Sequence, residues 1–224
     1  MAITEFPPTE LADEDGLIGV GGDLEVESLL LAYRSGIFPW PADENLLLWF
    51  SPPQRALIFL DQLHLPRSLL KAKRKAPFEF RFNHNFKAVI TACAEMTHRG
   101  EQRGTWITSD MLQAYCDLHR AGFAHSVEAY QNKKLVGGVY GVNIGRMFAA
   151  ESAFYRAENA SKLAFLELIA KLREHGVQWI DCQQLTPFSL TFGAREVSRE
   201  QYLEMLTKAL PGPQLKPGLA GTGT

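Results

Sequence analysis

Three cysteines in 224 residues, Cys93, Cys116 and Cys182, are odd in number and lack CxxC spacing. That excludes a disulfide framework or a cysteine zinc site and points to a reducing compartment. The six histidines are scattered, with no HxxxH or HExxH pair, so no metal site and no cofactor are expected. No apolar run approaches the 18 residues that a membrane span needs. The opening MAITEFPPTELADEDG is acidic and lacks the basic and apolar regions of a secretory leader, so a cytoplasmic protein is expected. A net charge of −2 supplies no overall field for nucleic acid, so any such contact must come from a local patch.

What is present is a chain 46% hydrophobic, enough for one large domain or two small ones. Gly19-Val20-Gly21-Gly22 has no preceding strand and the wrong spacing for a dinucleotide fingerprint, and it reads as a turn. Asp23 is placed to cap a helix over 24–34 that Gly36 stops. A stiff loop follows, Ile37-Phe38-Pro39-Trp40-Pro41, then short strands at 46–50 and 56–60. Residues 67–75 read as a helix with five cations, of which Arg67, Lys71, Arg74 and Lys75 fall on one side and Lys73 does not. Phe78, Phe80 and Phe82 alternate as a strand does. Asn83 is placed to cap a helix over 84–97, and Ser109 one over 110–121. Strands at 125–130, 135–142 and 146–151, a helix at 160–175, a strand at 177–181 and a last helix near 199–210 complete the pattern. The Pro/Gly/Thr-rich 211–224 reads as a disordered tail.

The strongest chemical signal lies in 145–183. Two strands end in polar groups, Glu151 on one and Asp181 and Gln183 on the other, joined by an amphipathic helix. Carboxylates at the ends of apolar strands are costly to desolvate without partners or a task. On a regular strand Asp181 and Gln183 would face one side and line one cleft. The strand–strand–strand–helix–strand order of 125–182 matches a GNAT-type acyltransferase core. The connection 152–159 has no glycine, which argues against the pyrophosphate loop that a CoA donor needs. The fold expectation is α/β (α+β), with a small N-terminal domain at 1–80 and a GNAT-like domain at 81–210.

Across residues 15–202 the ordered motifs GLIGVGGDL, AYRSGIFPW, TWITSDM, AYCDLH, AHSVEAY, LVGGVYGV, NASK, IDCQ and FGAREVSR resemble the leucyl/phenylalanyl-tRNA–protein transferase family. The chain departs from that family's pattern at Tyr155, at Phe188 and at Thr191-Phe192. The resemblance implies transfer of Leu or Phe, and less well Met, from aminoacyl-tRNA to a protein beginning with Arg or Lys. This would mark the protein for N-degron degradation. Apart from the resemblance, the lack of a coiled-coil pattern and of a long apolar run leads to the expectation of a monomer without membrane contact. The resemblance places Asp181 and Gln183 at the reaction centre, where Glu151 would orient the donor or acceptor by hydrogen bonding. Val139, Phe148, Leu168 and Ile180 would wall the acyl pocket, with Ala150 at its edge. Trp40 would stack on the terminal adenosine, with Trp106, Tyr33 and Tyr115 beside it. The patch Arg67, Lys71, Arg74 and Lys75 would take acceptor-stem phosphates. The alternatives are a CoA-dependent N-acetyltransferase, a non-catalytic tRNA-binding module and a cell-wall aminoacyltransferase.

Overall fold

The computed structural model of the chain describes residues 2–96 and 105–215, with the backbone alone of His98, Arg99, Gln102 and Arg103. In chain order the elements are β1 (Leu17–Val20), α1 (Val26–Arg34), β2 (Phe38–Pro39), β3 (Leu48–Phe50), β4 (Gln54–Phe59), α2 (Arg67–Lys75), β5 (Glu79–Phe82), α3 (Phe86–Ala94), β6 (His98–Arg99) and β7 (Gln102–Arg103). The second half holds α4 (Ser109–Arg120), β8 (Ala124–Gln131), β9 (Lys134–Ile144), β10 (Met147–Tyr155), α5 (Ala160–Glu174), β11 (Trp179–Gln183), α6 (Pro187–Leu190), β12 (Arg195–Ser198) and α7 (Arg199–Ala209). This is the mixed α/β composition expected.

Seven strands form one sheet in the order β12-β4-β11-β10-β9-β8-β5, and β1, β3 and β2 form a smaller one. In the large sheet β10 and β11 run parallel and every other pair is antiparallel. The β8–β9 hairpin turns at Asn132 and Lys133, both with positive φ, the conformation a tight hairpin turn demands. The expected cut at residue 80 runs through β5. It also misplaces β4, where Leu57 pairs with Asp181 on one side and Arg195 on the other. Ala56, Leu57 and Ile58 are fully buried. A continuous apolar run of this kind suits a strand covered on both faces.

Several boundaries shift by a residue or two from the sequence expectation. Thr108, not Ser109, caps α4, accepting from the Met111 N–H at 3.2 Å. Asn85, not Asn83, caps α3, while Asn83 itself adopts a left-handed turn. Asp23 accepts from the Glu25 N–H and the Ser28 hydroxyl ahead of α1, whose N-cap position is Glu25. β1 and β12 have no counterpart in the sequence pattern. The expected disordered tail begins ordered: the Leu215 N–H donates to Asn143 Oδ1 at 2.7 Å and Leu215 is buried, because Asn143 offers it a hydrogen-bonding site. The remainder of that tail, 216–224, lies outside the described residues, as does the last residue of the helix expected at 84–97.

The sheet is covered on both faces. α5 packs over β8, β9 and β10 on one side, and α3, α4 and α1 pack on the other. Gly141 on β9 lets β10 approach closely: a Cβ there would overlap the Ala149 carbonyl oxygen and meet the Phe148 ring at 2.5 Å. Backbone cannot yield cheaply, so Gly141→Ala is expected to cost about 3 kcal/mol or more. Urea unfolding should show a lower midpoint at unchanged slope; an unshifted midpoint would contradict the close approach.

Candidate active site

β10 and β11 pair at Phe148–Ile180 and Ala149–Asp181, and their pairing stops there. Just beyond, each strand breaks register against its other neighbour, β10 between Ala150 and Ser152 and β11 between Asp181 and Gln183. Bulges of this kind re-aim side chains and end pairing. Here they put Glu151 and Gln183 on opposite lips of the gap. Gln183 adopts φ +62°, a costly conformation for a residue with a side chain, and its N–H donates to Asp181 Oδ1 at 2.8 Å. The simple alternation that would place Asp181 and Gln183 side by side does not hold. Asp181 turns into the interior, while the Gln183 Nε2 donates across the gap to Glu151 Oε1 at 3.0 Å.

Glu151 is the hub. Its Oε1 also accepts from the Tyr33 hydroxyl of α1 at 2.8 Å, and its Oε2 from the Tyr115 hydroxyl of α4 at 3.1 Å. The two hydroxyls lie 2.5 Å apart. Burial pushes the Glu151 carboxyl from an ordinary value near 4.5 up to about 7; the tyrosine and amide donors oppose the rise and the Asp181 charge adds to it. Burial, then the Glu151 charge, holds both tyrosines well above their ordinary 10.

Asp181 is fully buried and spoken for. Arg55 of β4 donates to it from Nε at 2.9 Å and Nη2 at 2.7 Å, and the Tyr202 hydroxyl of α7 donates at 3.0 Å. The guanidinium lies between the rings of Phe38 and Tyr202, 4.6 Å from each centroid. Burial would lower the Arg55 pKa, but the Asp181 charge overcomes this and raises it. Sequence reasoning misses both Arg55 and Tyr202. The one signal in the sequence is a cation abutting the apolar run Ala56–Phe59, which needs a buried partner. Burial, then the Asp181 charge, pushes the Cys182 thiol far up, so it is no thiolate nucleophile.

Trp40, just after β2, stacks on Trp106 with centroids 5.3 Å apart, and Trp106 meets Tyr115 edge-on at 6.3 Å. An aromatic path thus runs from a partly exposed tryptophan pair to the Glu151 hub. Val139, Phe148, Leu168 and Ile180 come together in one buried cluster on the α5 face, with Ala150 packed at its edge. On α2, Arg67, Lys71, Arg74 and Lys75 are all exposed, while Leu69 anchors the helix and Lys73 pairs with Glu167 of α5 at 2.9 Å. The structure brings the hub and the tryptophans together, gathers the apolar residues in a separate cluster on the α5 face and sets the α2 cations on the surface.

Residues 57–207 match the profile of the leucyl/phenylalanyl-tRNA protein transferase family, and residues 22–53 match that family's N-terminal domain. The chain is 47% identical over 211 residues to the leucyl/phenylalanyl-tRNA–protein transferase of Anaeromyxobacter dehalogenans, covering 94% of this chain and 90% of that one. It is 43% identical over 201 residues to the protein of that name from Flavobacterium johnsoniae, covering 90% and 94%. In fold it is similar to the crystal structure of FemX, with a TM-score of 0.53 and 10% identity over 77% of this chain and 66% of that one. The protein is therefore an aminoacyltransferase. More particularly, it belongs to the leucyl/phenylalanyl-tRNA protein transferase family.

The raised Glu151 value has a consequence for stability. A carboxyl whose folded value exceeds its unfolded one favours folding below about 4.5, and that contribution is lost as pH rises through about 7. Wild type should lose about 3 kcal/mol across that window relative to Glu151→Gln, which is neutral throughout. Urea unfolding of both proteins across the window checks this, and parallel curves would refute it.

Proposed function

We propose that the gap between β10 and β11 is where an aminoacyl group passes from tRNA to the N-terminal amine of an acceptor protein. The observation that carries this reading is the Glu151–Gln183 contact across the gap, flanked by Tyr33, Tyr115 and the stacked tryptophans. The donor amino acids are Leu and Phe, with Met accepted less well, and the acceptors begin with Arg or Lys. The modified proteins enter N-degron degradation, and the enzyme works as a cytoplasmic monomer. The β8–β9–β10–α5–β11 order supports a GNAT-like core put to a tRNA-linked acyl source.

The step converts an ester to an amide, so it runs downhill without ATP. An α-amino group with a pKa near 8 is about one-tenth neutral at pH 7. Positioning can therefore supply much of the acceleration. Gln183 gives its Nε2 to Glu151, which leaves its carbonyl oxygen free to accept from the attacking amine. Asp181, bonded to Arg55 and Tyr202, acts through Gln183 as a positioning residue rather than by touching substrate. The half-buried Glu151 is then the negative group that faces the acceptor's terminus. The acyl side chain reaches the α5 face, where Val139, Phe148, Leu168 and Ile180 give it an apolar site with Ala150 at the mouth. An apolar site separates side chains differing by a methylene by only ~1–3 kcal/mol, hence the leakage to Met.

Adenine stacks on Trp40, supported by Trp106. Such stacking is worth about 1–3 kcal/mol, so Trp40→Ala should raise KM for aminoacyl-tRNA about tenfold or more with kcat little changed; an unchanged KM would remove the stacking role. The α2 cations hold phosphates and position the acceptor stem without reading sequence. Changing Arg67, Lys71, Arg74 and Lys75 to Ala should flatten the salt dependence of tRNA binding by roughly one unit of log–log slope for each phosphate no longer held. An equally steep response in the variant would argue against this track.

The direct test offers radiolabelled Leu-tRNA, Phe-tRNA and acetyl-CoA in parallel to peptides beginning with Arg, Lys or Ala. Label passing from either tRNA to the Arg and Lys peptides alone is the expected outcome. Transfer from acetyl-CoA, or none from tRNA by folded protein, would overturn the reading.

A further inference from the structure

Three oxygen–oxygen contacts close a ring at the head of the gap. Tyr33 Oη lies 2.5 Å from Tyr115 Oη and 2.8 Å from Glu151 Oε1, and Tyr115 Oη lies 3.1 Å from Glu151 Oε2. Each contact at such distances needs one proton between its two oxygens. The two phenols supply two protons, and their raised values keep those protons in place near neutrality. An ionised Glu151 supplies none, so one edge of the ring sets lone pair against lone pair. A protonated Glu151 supplies the third proton, and each member then donates once and accepts once around the ring. The Gln183 amide donates to Oε1, which marks Oε1 as the accepting oxygen; in the protonated ring Oε2 carries the proton toward Tyr115, the reverse of the bond that an ionised carboxylate accepts.

The groups acting on this ring come from four elements besides β10: Tyr33 from α1, Tyr115 from α4, Gln183 and Asp181 from β11, and Arg55 from β4. Asp181 opposes a second negative charge nearby, and Arg55 is already neutralised by Asp181. The ring is therefore a place where a third proton is wanted and a charge is costly.

We propose that Glu151, Tyr33 and Tyr115 form a proton relay that takes up the proton lost by the acceptor amine and returns it to the ribose oxygen that leaves. The proposal rests on the aminoacyl-transfer reading given above. As the new C–N bond forms, the acceptor nitrogen gives up one proton; as the ester C–O bond breaks, the ribose oxygen gains one. Ionised Glu151 takes the first and the ring closes. The ring then gives a proton back and Glu151 is ionised again, with no net gain or loss. The tyrosines act by completing the ring and never ionise.

Infrared titration of the unliganded protein tests the ring apart from activity. Wild type should show a protonated-carboxyl C=O band one pH unit below 7 that fades one unit above it. The band should shift on labelling with isotopic glutamate and be missing in Glu151→Gln. No such band in wild type would overturn the proposal whether or not transfer occurs, and the glutamate label keeps this readout usable even where the variant fails to fold. Transfer supplies the second arm. With an Arg peptide, log kcat/KM for wild type should rise with slope two below about 7 and slope one between about 7 and about 8, then level off, because amine and Glu151 must both be unprotonated. Glu151→Gln should show slope one up to about 8, with no break near 7, and lose about 10²–10⁴-fold in rate. Tyr115→Phe, which cuts the ring, should lower kcat while leaving KM for aminoacyl-tRNA in place. The band present with wild-type rates in Glu151→Gln would sink the relay while sparing the transfer reading. The band present with no transfer by wild type from any aminoacyl-tRNA would sink the transfer reading and the relay with it, while the ring itself stands.

Discussion

The buried ion pair between Arg55 and Asp181 is the interaction on which the site depends. It fastens β4 to β11, and through Tyr202 it fastens both to α7. Arg55 also reaches the Gly36 carbonyl and lies against Phe38, so the loop that carries Trp40 is built on the same cation. Two desolvated charges stabilise only when geometry and extra hydrogen bonds are good, and removing one partner of such a pair commonly costs about 3–5 kcal/mol. Here the carboxylate accepts from a guanidinium, a phenol and a backbone N–H. The last of these bonds matters most for the shape of the gap, because it holds Gln183 in a left-handed conformation that few residues adopt unaided.

Once Gln183 is fixed, the parallel β10–β11 pair can open without collapsing. The bulges at Glu151 and at Cys182 turn two strand ends into two lips, and one amide–carboxylate hydrogen bond spans them. Helices far apart in sequence, α1 and α4, deliver the tyrosines that hold Glu151. The strand ends lie between two faces of the sheet, an aromatic polar side and an apolar α5 side. That division suits a substrate with a nucleotide at one end and an apolar side chain at the other.

The fold is legible in the sequence where local pattern decides it. The β8–β9 hairpin, β10, α5 and β11 follow from alternation, helical period and Gly176, because each buries one face against its neighbours. The place of β4 is not legible. Its pairing with β11 and β12 spans more than a hundred residues, and no local period encodes such a partner. Glu151, Asp181 and Gln183 stand out as polar groups on apolar strands, yet strand alternation misplaces them relative to one another, since a bulge cancels the period of two. Tyr33, Tyr115, Trp40 and Trp106 look like core aromatics in the sequence, and family resemblance rather than periodicity singles them out. Arg55 and Tyr202 escape notice because a buried ion pair declares itself only when both partners are in place.

The measurement that bears most directly on the central claim is a structure of the protein with a non-hydrolysable phenylalanyl-amide analogue of the aminoacyl-adenosine end. The adenine should lie against Trp40, the amide carbon beside Gln183 and Glu151, and the phenyl group on the α5 face near Phe148 and Ile180. An analogue bound away from the β10–β11 gap, with Gln183 out of reach of the acyl carbon, would contradict the account.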